Sequence, residues 1–261
     1  MSIPPENQDR IAVISDIHGN LTALDAVLAD IAAKGITRIF NLGDIVGKGP
    51  RSAEAIDRSR AACEVIIQGN WDVDVAAGKP GPTSWHLHQI GPERAAYLAG
   101  LPGSFDFTIG AQPARVFHAS QTDMFHRVYE TSPRQAHRDM FLNTDFTGHG
   151  LAPTLVGYGD IHTPFVMSLD GCTLFNAGSV GNPLDMPLAC YCVLEGGSVA
   201  KPFSPWSIRI VLVPYDIEAE IAVAKTSEMP DFEAYAKELR TAIYRGRQQV
   251  TRGLTVAANR H

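Results

Sequence analysis

The chain reads as an α/β protein, with a strand-helix-strand front half and a strand-rich back half. Three observations predict this. An apolar run at 11–15 leads through a helical pattern into a second apolar run at 36–42, the order required by a right-handed crossover between parallel strands. A series of β-branched and aromatic runs, divided by Gly- and Asp-containing turns, then fills 105–215. Polar residues suited to metal ligation recur where these runs stop, the edge at which open α/β sheets place their chemistry.

Composition narrows the class. Hydrophobic residues make up 45% of the 261 and charged residues 19%, a balance that buries a sizeable core and argues against disorder. The net charge of -6 argues against a general nucleic-acid binder, which would carry a basic face. A small phosphate substrate stays compatible, because a bound metal reverses the local field. No apolar run approaches the roughly 18 residues of a membrane span. The start, MSIPPENQDR, lacks the basic and apolar regions of a signal peptide, so a cytoplasmic protein is expected. Cys63, Cys172, Cys190 and Cys192 form no CxxC pair and read as buried, reduced thiols.

The elements follow in order. IAVIS (11–15) is a buried strand that delivers Asp16 and His18 to its carboxyl end. Residues 20–34 place Leu21, Leu24, Val27, Leu28 and Ile31 at helical spacing, with Asn20 as N-cap and Gly35 as the stop. ITRIFNL (36–42) is the second strand and ends at Gly43-Asp44. GKGP (47–50) is a turn, 51–61 a short helix, and EVIIQ (64–68) a third strand ending in Gly69-Asn70. Two helical patterns at 83–100 break at Gly91-Pro92. FDFTI (105–109) and ARVFHAS (114–120) form a hairpin pair, with His118 near the end of the second. Residues 121–150 are irregular and rich in His, Arg, Thr and Asp. Strands follow at 153–159, 165–169, 172–177, 189–195 and 207–215, and a terminal helix at 231–249. No internal repeat or low-complexity linker interrupts the chain, so one domain over 1–261 is the simplest organisation.

The strand ends supply a ligand inventory. Asp16 with His18, then Asp44, then Asn70 end the first three strands; His118 ends a later one, and Asp160 and His162 follow TLVGY. Seven oxygen and nitrogen donors at strand ends suit a two-metal centre, in which one carboxylate bridges ions roughly 3.5 to 4 Å apart.

The segments SDIHGN, GDIVGKGP, GNWD, the His118 strand, GDIHTP and NAGSVGNP follow one another as in the calcineurin-like metallophosphoesterase family, and the chain most resembles its compact bacterial single-domain branch. The resemblance runs from about residue 10 to about residue 216. It implies a four-layer α/β/β/α sandwich of two mixed sheets flanked by helices. It also implies two divalent ions. Asp16, His18 and His162 would hold the first, Asn70 and His118 the second, and Asp44 would bridge. Asp44 and Asn70 are thereby the catalytic candidates, with the Asn70 amide facing a phosphoryl oxygen.

Two positions depart from the family pattern. Asp160 stands where a neutral imidazole is usual, so three carboxylates (Asp16, Asp44, Asp160) leave two divalent ions a net +1 instead of +2. A weaker hold on anions is expected, and a preference for manganese or ferrous iron, with zinc, cobalt or nickel as alternatives. Trp71 stands where the family often has a proton-donating His. It either packs over the site or offers a stacking surface to a nucleobase or aromatic leaving group.

The remaining candidates have a structural and a functional side. Asn20 either only caps its helix or, with Gly19, turns backbone amides toward an anion. Asp72 would orient a neighbouring ligand, and Asn176 or Ser179 would support the ligand shell. His126, His137 and His149 read first as surface histidines of the irregular segment, or else line the substrate cleft with one replacing the missing acid; Arg127, Arg134 and Arg138 read first as solvated charge, or else bind phosphate or nucleotide; His86 and His88 carry no assigned role. The expected function is a dinuclear metal-dependent phosphodiesterase or phosphatase, acting through metal-bound hydroxide on nucleotide-like or other small phosphate esters. The alternative is a non-catalytic interaction scaffold of the same fold.

Overall fold

Two mixed five-stranded sheets, packed face to face and flanked by helices, form the architecture of the computed structural model, which describes residues 8–197 and 205–246. The front half contains β1 (Gln8–Ile14), α1 (Leu21–Ala33), β2 (Arg38–Asn41), α2 (Ser52–Ala62), β3 (Val65–Ile66), α3 (Asn70–Ala76) and α4 (Pro82–Ala99). Next come β4 (Ser104–Ile109), β5 (Gln112–Phe117), α5 (Arg134–Asp139), β6 (Leu155–Tyr158), β7 (Phe165–Leu169) and β8 (Cys172–Asn176). The chain returns through β9 (Ala189–Gly197), β10 (Trp206–Val213), α6 (Ile217–Thr226) and α7 (Phe232–Thr241).

The first sheet has the order β10-β9-β1-β2-β3 and the second β4-β5-β6-β8-β7. The pairs β1–β2 and β2–β3 are parallel, as are β5–β6 and β6–β8. Ligand-bearing turns therefore leave each sheet from one edge. Between the sheets lies a shared apolar layer of Ile11, Val13 and Phe40 against Val116, Leu155 and Phe175. On the outer face of the first sheet, α1 buries Leu24, Val27 and Ile31, each side chain worth about 1.5–3 kcal/mol. The outer layer of the second sheet is thinner. Short α5 and the irregular segment cover it through Val128 and Met140.

Local chemistry explains most boundaries. The Asn20 side chain accepts from the Ala23 N–H at 3.0 Å and starts α1. The expected break at Gly91-Pro92 is a kink inside α4, where Gly91 has a φ of 70°. EVIIQ pairs over only two residues, because the chain leaves the sheet edge early. Three elements were not expected: α3, which begins on the Gly69-Asn70 turn itself, short α5 inside the segment read as irregular, and α6. The terminal helix is shorter than expected. It stops at Thr241, where Ala242 turns left-handed at φ 52°, and residues 247–249 lie outside the described part. All four cysteines are free, but only Cys190 and Cys192 are buried.

His86 illustrates a core histidine. It lies 1% exposed on α4, its Nδ1 is 3.2 Å from Ser52 Oγ, and burial holds its pKa down to about 4. The unfolded chain binds this proton near the ordinary 6.5, so between those values unfolding takes up protons. The contribution is complete above pH 6.5 and is lost as the pH falls toward 4, by up to about 3 kcal/mol. Urea unfolding from pH 7 to pH 4.5 should show a shallower fall in stability for His86→Gln than for the unsubstituted protein. Equal slopes would show that His86 is not held neutral.

Candidate metal centre

All seven donors expected from the strand ends meet at one place. Asp16 and His18 follow β1, Asp44 follows β2, Asn70 follows β3, His118 follows β5, and Asp160 and His162 follow β6. Asp16, His18, Asp44, His118, Asp160 and His162 are all buried. Among the described residues two donor groups have the spacing of a metal site: Asp16 with His18 and His162, and Asp16 with Asp44 and His118.

The imidazoles are aimed by backbone. The Nδ1 of His18 faces the Val46 carbonyl at 3.1 Å, that of His118 the Leu42 carbonyl at 2.7 Å, and that of His162 the Asn182 carbonyl. Each carbonyl accepts the Nδ1 proton and leaves the Nε2 lone pair turned inward. The three Nε2 atoms then lie close to donors of their own kind. His18 and His162 Nε2 are 3.2 Å apart, and His118 Nε2 is 3.1 Å from Asn70 Oδ1. The Asp44 carboxylate faces two ways, with Oδ2 3.6 Å from His18 Nε2 and Oδ1 3.5 Å from His118 Nε2. Asp16 Oδ1 is buried without a hydrogen-bond partner, 3.2 Å from His162 Nε2.

This convergence costs backbone strain. Asp16, His18, Asp44, Asp160 and His162 all adopt left-handed φ values, from 50° to 61°. Non-glycine residues in that region cost on the order of 1–3 kcal/mol each. Ladder-like contacts between the two first turns hold them there: Asp16 N–H donates to Gly43 O, His18 N–H to Asp44 O, and Gly19 N–H to Ile45 O, at 2.8–3.0 Å. Asp44 and the Asn70 turn touch because residue 69 lacks a side chain. A Cβ on Gly69 would stand 2.2 Å from both Asp44 N and Asp44 Oδ1.

The electrostatics call for cations. Burial pushes Asp44 well above its ordinary pKa, with Asp16, Asp72 and Asp160 raising it further. Burial would also raise Asp16, but His162, His118 and Ser15 together outweigh it and leave Asp16 at about 2. Burial lowers His118, yet Asp44, Asp16 and Asp160 lift it to about 9. Inward-facing imidazoles, opposed carboxylates and an unpartnered buried oxygen together fit divalent ions.

The supporting candidates contact the turns that carry the donors. Asp72 accepts N–H bonds from Asp44, Gly69, Ile45 and Val46 at 2.9–3.3 Å, and so fixes the Asp44 turn. Asn176 donates to Gly159 O, and Ser179 donates to Asp16 O at 2.8 Å. Asn20 is fully buried, its Oδ1 caps α1 and its Nδ2 donates to Gly181 O at 2.9 Å, and it does not line the cavity. Trp71 packs edge-on to His18, with centroids 5.9 Å apart, and still lines the open cavity above the donors.

That cavity, about 480 Å³, brings in Lys48, Tyr129, Leu184 and Tyr244, which the sequence did not single out, and Arg127, which read first as solvated charge. Arg127 corrects the charge balance drawn from Asp160. Its Nε lies 3.1 and 3.0 Å from the two Asp160 oxygens, so the third carboxylate arrives with its own counter-charge. Arg134 and Arg138 pair with Asp170 at the surface, as expected of solvated charge. His137 is buried against Tyr129 O, His149 pairs with Asp145 and His126 is exposed; none lines the cavity. No motif could have revealed Arg127, which lies 33 residues from Asp160 in the irregular segment.

Such a sandwich, with a buried cluster of His, Asp and Asn donors at the carboxyl ends of its parallel strands, defines a metallophosphoesterase-like architecture. The chain belongs to the calcineurin-like phosphoesterase superfamily, whose domain model matches residues 10–198. It is 31% identical over 253 residues to an uncharacterized protein of Methanocaldococcus jannaschii, with 85% of this chain and 94% of that protein covered. Its fold is similar to a metallophosphoesterase from Sphaerobacter thermophilus (TM-score 0.71, 24% identity, 90% of this chain and 99% of the other). It is also similar to a hypothetical protein of Pyrococcus horikoshii (TM-score 0.67, 18% identity, 92% and 99%). No helix among the described residues is long and apolar enough to cross a membrane.

Proposed function

We propose that this protein is a dinuclear metal-dependent phosphoesterase that hydrolyses small, nucleotide-like phosphate esters. The observation that carries the proposal is the two-way Asp44 carboxylate, with one oxygen toward His18 and the other toward His118. A bridging ligand needs this disposition. Asp16, His18 and His162 would hold one ion, and Asn70 and His118 the other, with Asp160 beside it. The oxygen-rich donor set suits manganese or ferrous iron. When bound, the ions would supply Lewis acidity toward the phosphoryl oxygens and lower the pKa of water.

The remaining roles belong to the chain. Asn70 turns its Oδ1 toward His118, which frees its NH2 to hold a phosphoryl oxygen. Trp71, Tyr129 and Tyr244 give the cavity aromatic walls against which a base or aryl group can stack. Trp71 donates no proton to a leaving oxygen, so esters with good leaving groups are the expected substrates.

Hydrolysis of an activated aryl phosphodiester with added manganese tests this reading. The expected result is metal-dependent turnover at least about a hundredfold above that of Asp44→Ala. Turnover no greater than the variant's under any divalent metal would overturn it. Metal content separates the scaffold alternative, which predicts an empty, phosphate-indifferent site instead of two ions per chain.

A further inference from the structure

The Asp160–His162 turn carries a cation on each side. Arg127 sits on Asp160 through Nε alone, with its side chain 47% exposed. Among the described residues its two Nη nitrogens have no hydrogen-bond partner, and the guanidinium lines the cavity. On the other side, Lys48 Nζ lies 3.5 Å from His162 Nε2 and donates to Asn182 Oδ1 at 3.0 Å. Asn182 is fully buried and donates in turn to Glu238 Oε2 at 3.2 Å, so α7 anchors the lysine's support. Lys48 is also held in a left-handed conformation, with φ 56°, on the turn that follows Asp44.

An arginine seated on a carboxylate by Nε keeps its outer edge free for bidentate contact with a second anion. Arg127 neutralises Asp160, and Lys48 adds a further positive charge to the same cavity. One phosphoryl group would occupy the donor cluster around Asp44. The two cations stand beside it, each a few ångströms from a residue of that cluster.

We propose that Arg127 and Lys48 form an anion subsite next to the metal centre, and that the preferred substrates carry a second phosphate adjoining the scissile ester. This rests on the phosphoesterase reading for the first phosphate, but its test is a binding measurement. The probes are pyrophosphate and orthophosphate, bound by the full-length protein in equilibrium dialysis at a fixed free manganese concentration.

The expected result is pyrophosphate binding at least about tenfold tighter than orthophosphate, with that preference reduced roughly tenfold in Arg127→Gln. Lys48→Gln should reduce it independently, and Arg134→Gln, at the surface pair with Asp170, should not. Equal affinity for the two probes in the unsubstituted protein would overturn the subsite. So would equal weakening of both probes in Arg127→Gln and Lys48→Gln. Aryl diester hydrolysis with no pyrophosphate preference removes the subsite and leaves the phosphoesterase reading standing. A preference that depends on Arg127, without hydrolysis, does the reverse.

Discussion

Asp16→Asn is expected to abolish tight metal binding and to lower the stability of the metal-free fold. Asp16 is the residue shared by both candidate donor groups, and its buried Oδ1 has no hydrogen-bond partner. The other oxygen, Oδ2, accepts from the Asp160 N–H at 3.0 Å. An asparagine can keep that acceptor and turn its NH2 toward His162 Nε2, 3.2 Å from the orphaned oxygen. The substitution preserves that geometry but removes a carboxylate whose pKa the surrounding histidines hold at about 2, so its contribution to the metal-free fold at neutral pH is lost. The same NH2 points hydrogens where an ion must sit. Metal affinity should fall by at least about a hundredfold, beyond the range seen when only an outer partner of a ligand is lost. Titration with manganese, together with urea unfolding of the metal-free proteins, checks both halves. Retained affinity would remove Asp16 from the ligand set.

Asp72→Asn should act on stability first. The Asp72 carboxylate is fully buried and accepts four N–H groups from the Asp44 and Gly69 turns. An amide has one accepting oxygen, and it turns NH2 hydrogens toward N–H donors that were satisfied. Leaving buried donors unpaired costs about 1–3 kcal/mol each, so a loss on the order of 3–5 kcal/mol is expected. The left-handed Asp44 turn should loosen with it. A loss under about 1 kcal/mol by urea unfolding would show that the neighbouring contacts hold the turn without the carboxylate.

The two variants mark how far sequence reasoning reached. Strands that end in Asp16, Asp44, Asn70, His118 and Asp160 were legible because an apolar run and the polar residue that stops it are adjacent in the chain. Asp72 follows Asn70 by two residues inside α3, whereas Asn176 at the end of β8 and Ser179 after it reach Gly159 and Asp16 only through the fold. Element ends were less legible. The α3 helix begins on a motif read as a turn, and α7 stops at Ala242, where no glycine announces the stop.

The chain's own order of residues determined that this is an α/β protein, with the expected donors, and that Asp160 and Trp71 are its peculiar positions. Tertiary structure alone decided what those peculiarities mean. Asp160 removes little positive charge, because Arg127 comes from 33 residues away to sit on it. Asn20 is closed off from the cavity by Gly181 and the start of α1. Lys48 lines the cavity with Asn182 and Glu238 behind it, the latter on a helix outside the family match. Periodicity and adjacency record what neighbours do along the chain. Charge compensation and exposure depend on which distant side chains arrive, and only the folded molecule brings them together.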